Sequence, residues 1–342
     1  MLAGVAPVLA VRRDDLRTAR VLDSPSSALA DGETRFAVER FGLTANNVTY
    51  GLLGDALAYW SFFPVAEAGW GSVPAWGFAT SVESRSADVP EGMRIFGYVP
   101  MGGELVLKPQ HFGKRGFQDG SDHRARLPAV YNRYRRAEPS DRDDATMVLQ
   151  PLFITSVLLA RSLEGAPRVI LSSASSKTAL GTAYLLARAG TDVAGITAST
   201  SFVAGLDVYG EVVGYDAIEK LERRPATFVD VAGNADVRAT VHRHLGVDLA
   251  ASILVGATHM SAGAAAATEP LPGPEPTFFF APDHMQGGID GEALAAFKAL
   301  VEWSTGWLEI ERREGAPEVL AAWTEAVDGR LAPTKAFSLA LP

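Results

Sequence analysis

The sequence predicts an α/β protein that combines a small β-barrel with a doubly wound parallel sheet, and two patterns lead to this prediction. Short runs rich in aromatic and β-branched residues, separated by Gly and Pro, fill residues 35–109 and are typical of a small barrel. From residue 145 onward, apolar strands alternate with helices of about ten residues, which indicates a parallel sheet covered on both faces.

The chain of 342 residues is long enough for two domains. We expect the barrel domain at residues 1–140 and the parallel-sheet domain at 141–285. Residues 308–312 and 336–341 alternate as strands and need partners, so residues 286–342 are expected to return to the barrel and complete it. A polar, arginine-rich stretch joins the two domains; its arginines either lie on a solvated surface or bind phosphate.

Composition narrows the classes of function. A formal net charge of −9 argues against general affinity for nucleic acid or an anionic membrane. The chain has no cysteine, which excludes disulfides and a thiolate metal site, and its six histidines form no His-Glu-x-x-His pair. We therefore expect no bound metal.

No apolar run approaches the roughly 20 residues of a membrane helix, and the N-terminus inverts the charge order of a secretory signal, so a cytoplasmic protein is expected.

Residues 169–188 are the most informative segment, because they predict a buried strand, a small-residue turn and a helix. Ser173, Ser176 and Ala179 keep the three-residue spacing at which a dinucleotide-binding turn carries glycines. A helix that begins directly after a buried strand can hold a pyrophosphate on its N-terminal N–H groups. Further donors would come from the side chains of Ser175, Ser176, Lys177 and Thr178. The alternative is a serine-capped helix with a solvated lysine and no ligand.

The next strand bears on which nucleotide is bound. In folds of this kind an Asp or Glu at its end binds the ribose 2′-hydroxyl of NAD. Residues 196–201 carry no carboxylate, whereas Ser199 and Ser201 could donate to a 2′-phosphate, so NADP(H) is favoured; the same serines could instead cap the next helix. A P-loop is a rival interpretation of residues 176–178, but it requires glycine at two positions that hold Leu171 and Ser176.

Three segments carry a resemblance to a known family: residues 39–50, residues 102–108 and the corner at 169–188. Their order resembles the medium-chain dehydrogenase/reductase superfamily, in its zinc-free quinone-oxidoreductase-like branch. The chain also resembles an uncharacterised bacterial family, DUF2855-like, through residues 44–50 and 59–64. The resemblance implies a GroES-like catalytic barrel, a Rossmann domain, a homodimer, and Asp230 beside the cofactor riboses. The chain departs from the superfamily pattern at the fingerprint glycines and at Tyr50, where an Asp is usual.

Candidates for the chemistry follow from this resemblance and from the polar and aromatic segments. The resemblance brings Tyr50 and Asn47 over the nicotinamide, where Tyr50 would donate a proton and Asn47 would hold the substrate or the cofactor amide. Tyr50 could equally be a half-buried barrel residue. The polar linker adds His123, tuned by Asp119 or Asp122, and Tyr131 as acids, although surface loops look the same. Trp60, Phe62, Phe63 and His284 could line a hydrophobic acceptor pocket, or the aromatic residues could belong to the core.

The sequence thus predicts an NADP(H)-dependent, metal-free reductase that acts on a carbonyl or an activated double bond of a small, hydrophobic or aromatic molecule. Two alternatives remain open at this stage. One is a non-redox nucleotide-binding protein on the same fold, and the other is a lyase or aldolase that uses the cleft without hydride transfer.

Overall fold

The computed structural model describes residues 5–255, 270–284 and 290–342. The chain forms two compact units, one made of Met1–Val148 with Trp307–Pro342 and the other of Leu149–Gly306. The expected fold class, an antiparallel sheet domain with a parallel-sheet domain, is confirmed. Strands and α-helices are numbered here in chain order, and each unit is described by itself.

The first unit contains two sheets. A small sheet has the order β2-β1-β4, and a larger one has the order β17-β18-β3-β5-β6-β10-β9-β8, with β7 paired to β3. The C-terminal strands join the larger sheet because β18 pairs antiparallel with β3. The elements are β1 Val5–Arg12, β2 Ala19–Pro25, β3 Thr34–Leu43, α1 Ala45–Leu52, β4 Trp70–Gly71, β5 Pro74–Ser84, β6 Arg94–Pro100, β7 Glu104–Leu107, β8 Pro109–Gly113, β9 Gly116–Asp119, β10 Arg133–Arg136, β17 Glu309–Glu314, α7 Ala316–Val327 and β18 Lys335–Ala340.

The core of this unit is aromatic. Strands β5 and β6 run antiparallel with Trp76 opposite Tyr98, so these two side chains lie on the same face of the sheet. Tyr98 is fully buried, as are Phe62 and Phe337. Helix α7 covers the unit with Trp323, whose indole nitrogen donates to the Leu16 carbonyl at 2.8 Å. Burial of such large rings supplies much of the apolar area that stabilises the unit.

The second unit is a parallel sheet of order β13-β12-β11-β14-β15-β16. Counted within the unit, this order is 3-2-1-4-5-6, the order of the dinucleotide-binding Rossmann fold. The chain order reverses between β11 and β14, and ligands in such sheets bind outside the carboxyl ends at that point. The elements are β11 Arg168–Ser172, α3 Lys177–Arg188, β12 Asp192–Ile196, α4 Thr200–Ala204, β13 Glu211–Val213, β14 Ala226–Asp230, α5 Ala235–Leu245, β15 Leu249–Leu254, β16 Thr277–Phe278 and α6 Gly291–Ser304.

The sequence predicts a helix over residues 149–163 with its effective start at Pro151, but helix α2, Asp143–Ser162, begins earlier and contains Pro151 inside it. A proline within a helix removes one backbone hydrogen bond. The first turn is anchored by ion pairs from Asp143 to Arg94 at 2.8 Å and from Asp144 to Arg312 at 2.6 Å. Among the described residues, α2 alone is long and apolar enough to cross a membrane, but 56% of its apolar window is buried, as in a core helix of a soluble protein.

Helix α6 belongs to the second unit, where it packs against α3. The rings of Trp303 and Tyr184 lie 5.1 Å apart, and those of Phe297 and Phe153 lie 5.4 Å apart. The expected boundary between residues 285 and 286 lies outside the described residues. The return to the first unit therefore begins at Trp307, after the helix, because the apolar face of α6 is buried against helices of the parallel-sheet unit.

Candidate functional site

The predicted corner lies at the switch point of the parallel sheet. Strand β11 ends at Ser172 and α3 begins at Lys177, with Ser176 as its N-cap. The Ser176 hydroxyl accepts a hydrogen bond from the Ala179 N–H at 3.3 Å, which satisfies one of the first-turn donors. The corner therefore has the local geometry of a phosphate-binding turn, and it uses a serine cap to start the helix.

Ser173 occupies the position of the first fingerprint glycine and takes a glycine-like conformation. Its φ of 47° lies in the left-handed region, which disfavours residues with a side chain. The turn closes with a bond of 2.7 Å from the Ser176 N–H to the Ser173 carbonyl. The Ser173 hydroxyl lies 3.2 Å from the Tyr215 hydroxyl. Sequence analysis missed Tyr215, although its place just after β13 puts it at the same edge of the sheet.

Ser175 links the corner to the end of the second strand. The Thr197 hydroxyl donates to the Ser175 hydroxyl at 3.0 Å and accepts the Ser199 N–H at 3.1 Å. Ser199 is the N-cap of α4, yet its side chain makes no capping bond, so the capping alternative is not realised there. Ser201 is exposed. The polar groups that follow β12 thus include hydroxyls and no carboxylate.

Lys177 is the first residue of α3, and its side chain is half-buried. Burial lowers the pKa of the Lys177 ammonium to about 7. Thr178, the next residue, accepts bonds on its carbonyl from the hydroxyls of Ser156 and Thr182, both at 2.9 Å. Its carbonyl is therefore tied into the packing of α3 against α2. A lysine whose pKa lies near neutrality gains a proton when an anion binds beside it.

The Asp230 carboxylate, which the sequence predicts beside the cofactor riboses, is hydrogen-bonded within the protein. The residue is fully buried at the end of β14, and one carboxylate oxygen accepts from the Ser172 hydroxyl at 2.9 Å and from the Gly233 N–H at 3.0 Å. The other oxygen pairs with Arg238 at 2.9 Å. The Ser172 hydroxyl also accepts the Val231 N–H at 2.9 Å. Asp230 therefore shapes the loop beside the corner, and its oxygens are occupied by protein donors.

Tyr50 and Tyr131 meet in one aromatic cluster of the first unit. Tyr50 and Tyr59 have ring centroids 4.7 Å apart, as do Tyr98 and Tyr131. The Tyr59 and Tyr131 hydroxyls are hydrogen-bonded at 3.2 Å. Burial raises the pKa of Tyr50, and it raises the pKa of Tyr131 well above its usual range with a further rise from Tyr50 and Tyr59. These hydroxyls stay protonated at neutral pH, as a proton donor requires.

The Asn47 side chain is hydrogen-bonded within the first unit at both of its polar atoms. Its side-chain oxygen accepts the Thr44 N–H at 2.9 Å, and Thr44 caps the same helix, so the two residues form a capping box. Its amide nitrogen donates to the Pro74 carbonyl at 3.1 Å. The predicted role in holding a substrate or cofactor amide therefore competes with bonds that Asn47 already makes inside the protein.

His123 and Asp119 do not form the predicted pair. His123 is exposed, and its Nε2 lies 3.4 Å from the Phe62 carbonyl. Asp119 instead pairs with the buried Arg124 at 3.2 Å. Arg124 also donates to the Tyr134 hydroxyl at 2.7 Å. A buried arginine requires a carboxylate partner more strongly than an exposed histidine does, so Asp119 pairs with Arg124 and stabilises the linker loop.

Two of the predicted pocket aromatics belong to the core. Phe62 is fully buried, and Trp60 is packed so closely that a Cβ at Gly54 would lie 2.1 Å from its ring. Phe63 is half-buried, with the Arg124 guanidinium 4.7 Å from its ring. His284 is exposed in the second unit, where it stacks on Phe279 at 4.3 Å. Of Trp60, Phe62 and Phe63, only Phe63 is partly exposed to solvent.

The ranges 5–255, 270–284 and 290–342 contain no group of three or more His, Asp or Glu side chains placed to hold a metal ion. The polar side chains at the corner and in the aromatic cluster include serine and threonine hydroxyls, one lysine and several tyrosines. Such groups can bind phosphate, donate hydrogen bonds and supply a proton.

Comparisons with solved structures show the same overall fold at low sequence identity. CurA from Vibrio vulnificus, in complex with NADPH, matches with a TM-score of 0.64 and 11% identity over 99% of each chain. TarJ from S. aureus, also with NADPH, has a TM-score of 0.61 and 10% identity over 99% of this chain and 100% of its own. CurK enoyl reductase has a TM-score of 0.58 and 11% identity over 98% and 99%.

A search of curated protein sequences gives no significant match. A family model described as protein of unknown function (DUF2855) matches residues 41–332, which is most of the chain. The switch-point sheet order and the barrel-type first unit agree with the fold of the structural neighbours. The chain therefore belongs to the DUF2855 family and has the fold of the medium-chain dehydrogenase/reductase superfamily.

Proposed function

We propose that this protein is an NADP(H)-dependent, metal-free oxidoreductase that reduces a carbonyl or an activated, conjugated double bond of a small hydrophobic molecule. One observation carries the proposal: a strand-turn-helix corner at the switch point of a 3-2-1-4-5-6 parallel sheet, with hydroxyls and no carboxylate after the second strand. Bound NADPH would supply a hydride, so the protein needs to bind, orient and protonate.

The corner offers complementary groups to a dinucleotide that carries a 2′-phosphate. The N-terminus of α3 suits the pyrophosphate, and the hydroxyls of Ser173, Ser175 and Tyr215 surround the same turn. Ser199, whose hydroxyl does not cap a helix, and Lys177 are the candidates for the 2′-phosphate. A carboxylate after β12 would repel that phosphate, and none stands at residues 197–201.

The structural neighbours support the cofactor and the class of reaction. CurA and TarJ were solved with NADPH, and CurK is described as an enoyl reductase. Tyr50 and Tyr131 are the proposed proton donors, because the two tyrosines lie in one aromatic cluster of the first unit and each carries a protonated hydroxyl at neutral pH. We propose a homodimer as the functional state, which light scattering on the purified protein would check.

Fluorescence titration with NADPH and NADH tests the cofactor assignment. We expect saturable binding, tighter for NADPH, and a loss of about tenfold or more in NADPH affinity in Lys177→Ala, because an ion pair to phosphate is removed. Lys298→Ala is the matched control, since Lys298 is an exposed lysine of the same unit and its loss should leave the affinity unchanged. Absence of saturable binding of either nucleotide would contradict the proposal.

The reaction is tested by following NADPH oxidation with enones, quinones, aldehydes and acyl thioesters. Turnover of at least one conjugated class is expected. Tyr50→Phe and Tyr131→Phe should each lower kcat while leaving the NADPH dissociation constant unchanged, because they remove a proton donor without touching the corner. Full turnover in both variants would remove these tyrosines from the mechanism.

A further inference from the structure

A hairpin at the edge of the larger sheet concentrates positive charge in an otherwise acidic protein. Strands β8 and β9 form this hairpin, and β10 lies beside β9. Residues 108–136 hold eight lysines and arginines against two aspartates, a net charge of +6, so the rest of the chain must carry −15 to give the total of −9. The net charge of the protein therefore hides one basic region.

Three of these cations lie at the end of the hairpin and are called the basic tip here: Lys114, Arg115 and Arg136. All three are exposed. Arg115 and Arg136 are neighbours, because the Arg136 N–H donates to the Arg115 carbonyl at 2.8 Å. Residues 108–118 contain no acid. Within the described part of the chain, no residue of the basic tip forms an ion pair with a carboxylate, so the three charges face solvent.

The same hairpin exposes an aromatic ring. Phe112 is 40% exposed, and its ring lies 5.7 Å from that of the buried Phe117. The register between β8 and β9 shifts at this point, which leaves one extra residue on β8 as a β-bulge. His111, in the bulge, has a φ of 48° in the left-handed region. Since a bulge re-aims the side chains around it, the fold holds the Phe112 ring at the surface next to the basic tip.

Protection of the sheet edge accounts for part of this chemistry but not for the ring. Pro109, the bulge and the cations are features that keep an edge strand from pairing with another strand. They disfavour a partner protein, or a second copy of the chain, that would add a strand to β8. A stable protein interface needs about 800 Å² on each partner, which is more than the end of one hairpin offers. A lipid surface needs only a few cations and an apolar side chain.

We propose that this hairpin binds the surface of an anionic lipid bilayer, with the Phe112 ring at the boundary between headgroups and acyl chains. The basic tip then lies beside the lipid phosphates, where each Lys or Arg strengthens binding by about fivefold. The acidic remainder of the chain is repelled, but salt screens charges beyond about 8 Å, and the uneven charge turns the hairpin towards the membrane. The contact is weak and reversible, and the inference is independent of the proposed reductase function.

Co-sedimentation with sucrose-loaded vesicles tests the contact. Wild type should pellet with vesicles of equimolar phosphatidylcholine and phosphatidylglycerol, and it should stay in solution with phosphatidylcholine alone. Lys114→Gln, Arg115→Gln and Phe112→Ser should each lower the partition coefficient for the mixed vesicles by about fivefold. Lys298→Gln and Val82→Ser are the matched controls, because they replace an exposed lysine of the second unit and an exposed apolar residue of the first. Neither control should change the partition coefficient.

A label at residue 112 reports insertion of the hairpin. Because the chain has no cysteine, Phe112→Cys allows one environment-sensitive fluorophore to be placed there. Its emission should shift to the blue with the mixed vesicles, whereas the same label on Val82→Cys should not shift. Absence of partition by wild type, or equal partition of wild type and Phe112→Ser, would overturn the inference. Tighter binding to poly-L-glutamate than to the vesicles would also overturn it and assign the basic tip to an acidic polypeptide.

NADPH titration of the same variants separates this inference from the reductase function. The NADPH dissociation constant should be the same in wild type and in every hairpin variant, which also shows that the variants are folded. Vesicle binding by a wild type that fails to bind NADPH would reject the reductase function alone, whereas NADPH binding without vesicle binding would reject the lipid contact alone.

Discussion

The corner of the parallel sheet and the aromatic cluster of the barrel unit use similar polar residues in opposite ways. At the corner, the Ser173 hydroxyl bonds to the Tyr215 hydroxyl, and the Ser175 hydroxyl accepts from the Thr197 hydroxyl, beside a strand-to-helix turn. In the barrel unit, Asn47 and Asp119 are committed to buried protein partners. The two regions differ in the partners of their polar side chains: the Ser199 hydroxyl beside the corner makes no capping bond, whereas Asn47 and Asp119 accept from backbone N–H groups of their own unit.

We expect the largest change, a loss of stability, in Asp119→Ala. The change leaves the Arg124 guanidinium buried without its carboxylate, so the free energy of unfolding should fall by about 3–5 kcal/mol in urea denaturation. Asp122→Ala is the control, because Asp122 is exposed in the same loop and its loss should change stability by about 0.5 kcal/mol or less. Equal small effects of both variants would show that Asp119 has no structural part.

The pH dependence of the NADPH dissociation constant tests the role of Lys177 at the corner. Its pKa of about 7 means that, above that pH, NADPH binding should draw a proton onto the neutral Lys177 amine, and the dissociation constant should rise by up to about tenfold per pH unit. A phosphate monoester is already dianionic there, since its second pKa is about 6, so the trend reports the lysine. Lys177→Met should make affinity nearly independent of pH above 7; an unchanged profile in that variant would assign the trend elsewhere.

The same shift affects the stability of the protein without ligand. The unfolded chain keeps the lysine protonated up to its usual pKa of 10.5, whereas the folded chain releases the proton near 7. Because the unfolded state then binds more protons, the contribution of Lys177 to the free energy of unfolding should rise with pH between about 7 and 10.5. It is lost as the pH falls through 7, and Lys177→Met should abolish this part of the slope.

We expect the smallest loss of stability in Asn47→Ala, which tests whether Asn47 caps helix α1 or binds the cofactor. Loss of the capping box should lower the free energy of unfolding by about 1 kcal/mol with the NADPH dissociation constant unchanged. Leu52→Ala is the control in the same helix, because the Leu52 side chain is exposed and takes no part in the box. A tenfold loss of NADPH affinity in Asn47→Ala at unchanged stability would instead restore its predicted cofactor role.

Much of the fold follows from local pattern. The alternation of apolar strands with helices predicted a parallel sheet, and Ser176 predicted the start of α3 within one residue. Pro151 misled the expected start of α2, which begins earlier, where Asp143 and Asp144 pair with arginines. Those arginines are distant in the sequence, and no local pattern reports them.

The site residues named from the sequence stay predictions, and the structure shows where they lie. The corner residues do lie at one turn, and Tyr50 and Tyr131 do share a cluster. The commitment of Asp230 to Ser172 and Arg238 was not predictable, because Ser172 lies 58 residues away on the neighbouring strand.

The sequence by itself determined the class of fold, the strand-turn-helix corner and the absence of a carboxylate after the second strand, because these depend on residues close together in the chain. The tertiary structure alone decided which polar groups remain for a ligand. Asn47, Asp119 and Asp230 accept hydrogen bonds from donors of the protein, whereas the Ser199 side chain makes no capping bond. Hydrogen-bond satisfaction depends on partners that only folding brings together, so local sequence patterns do not encode it.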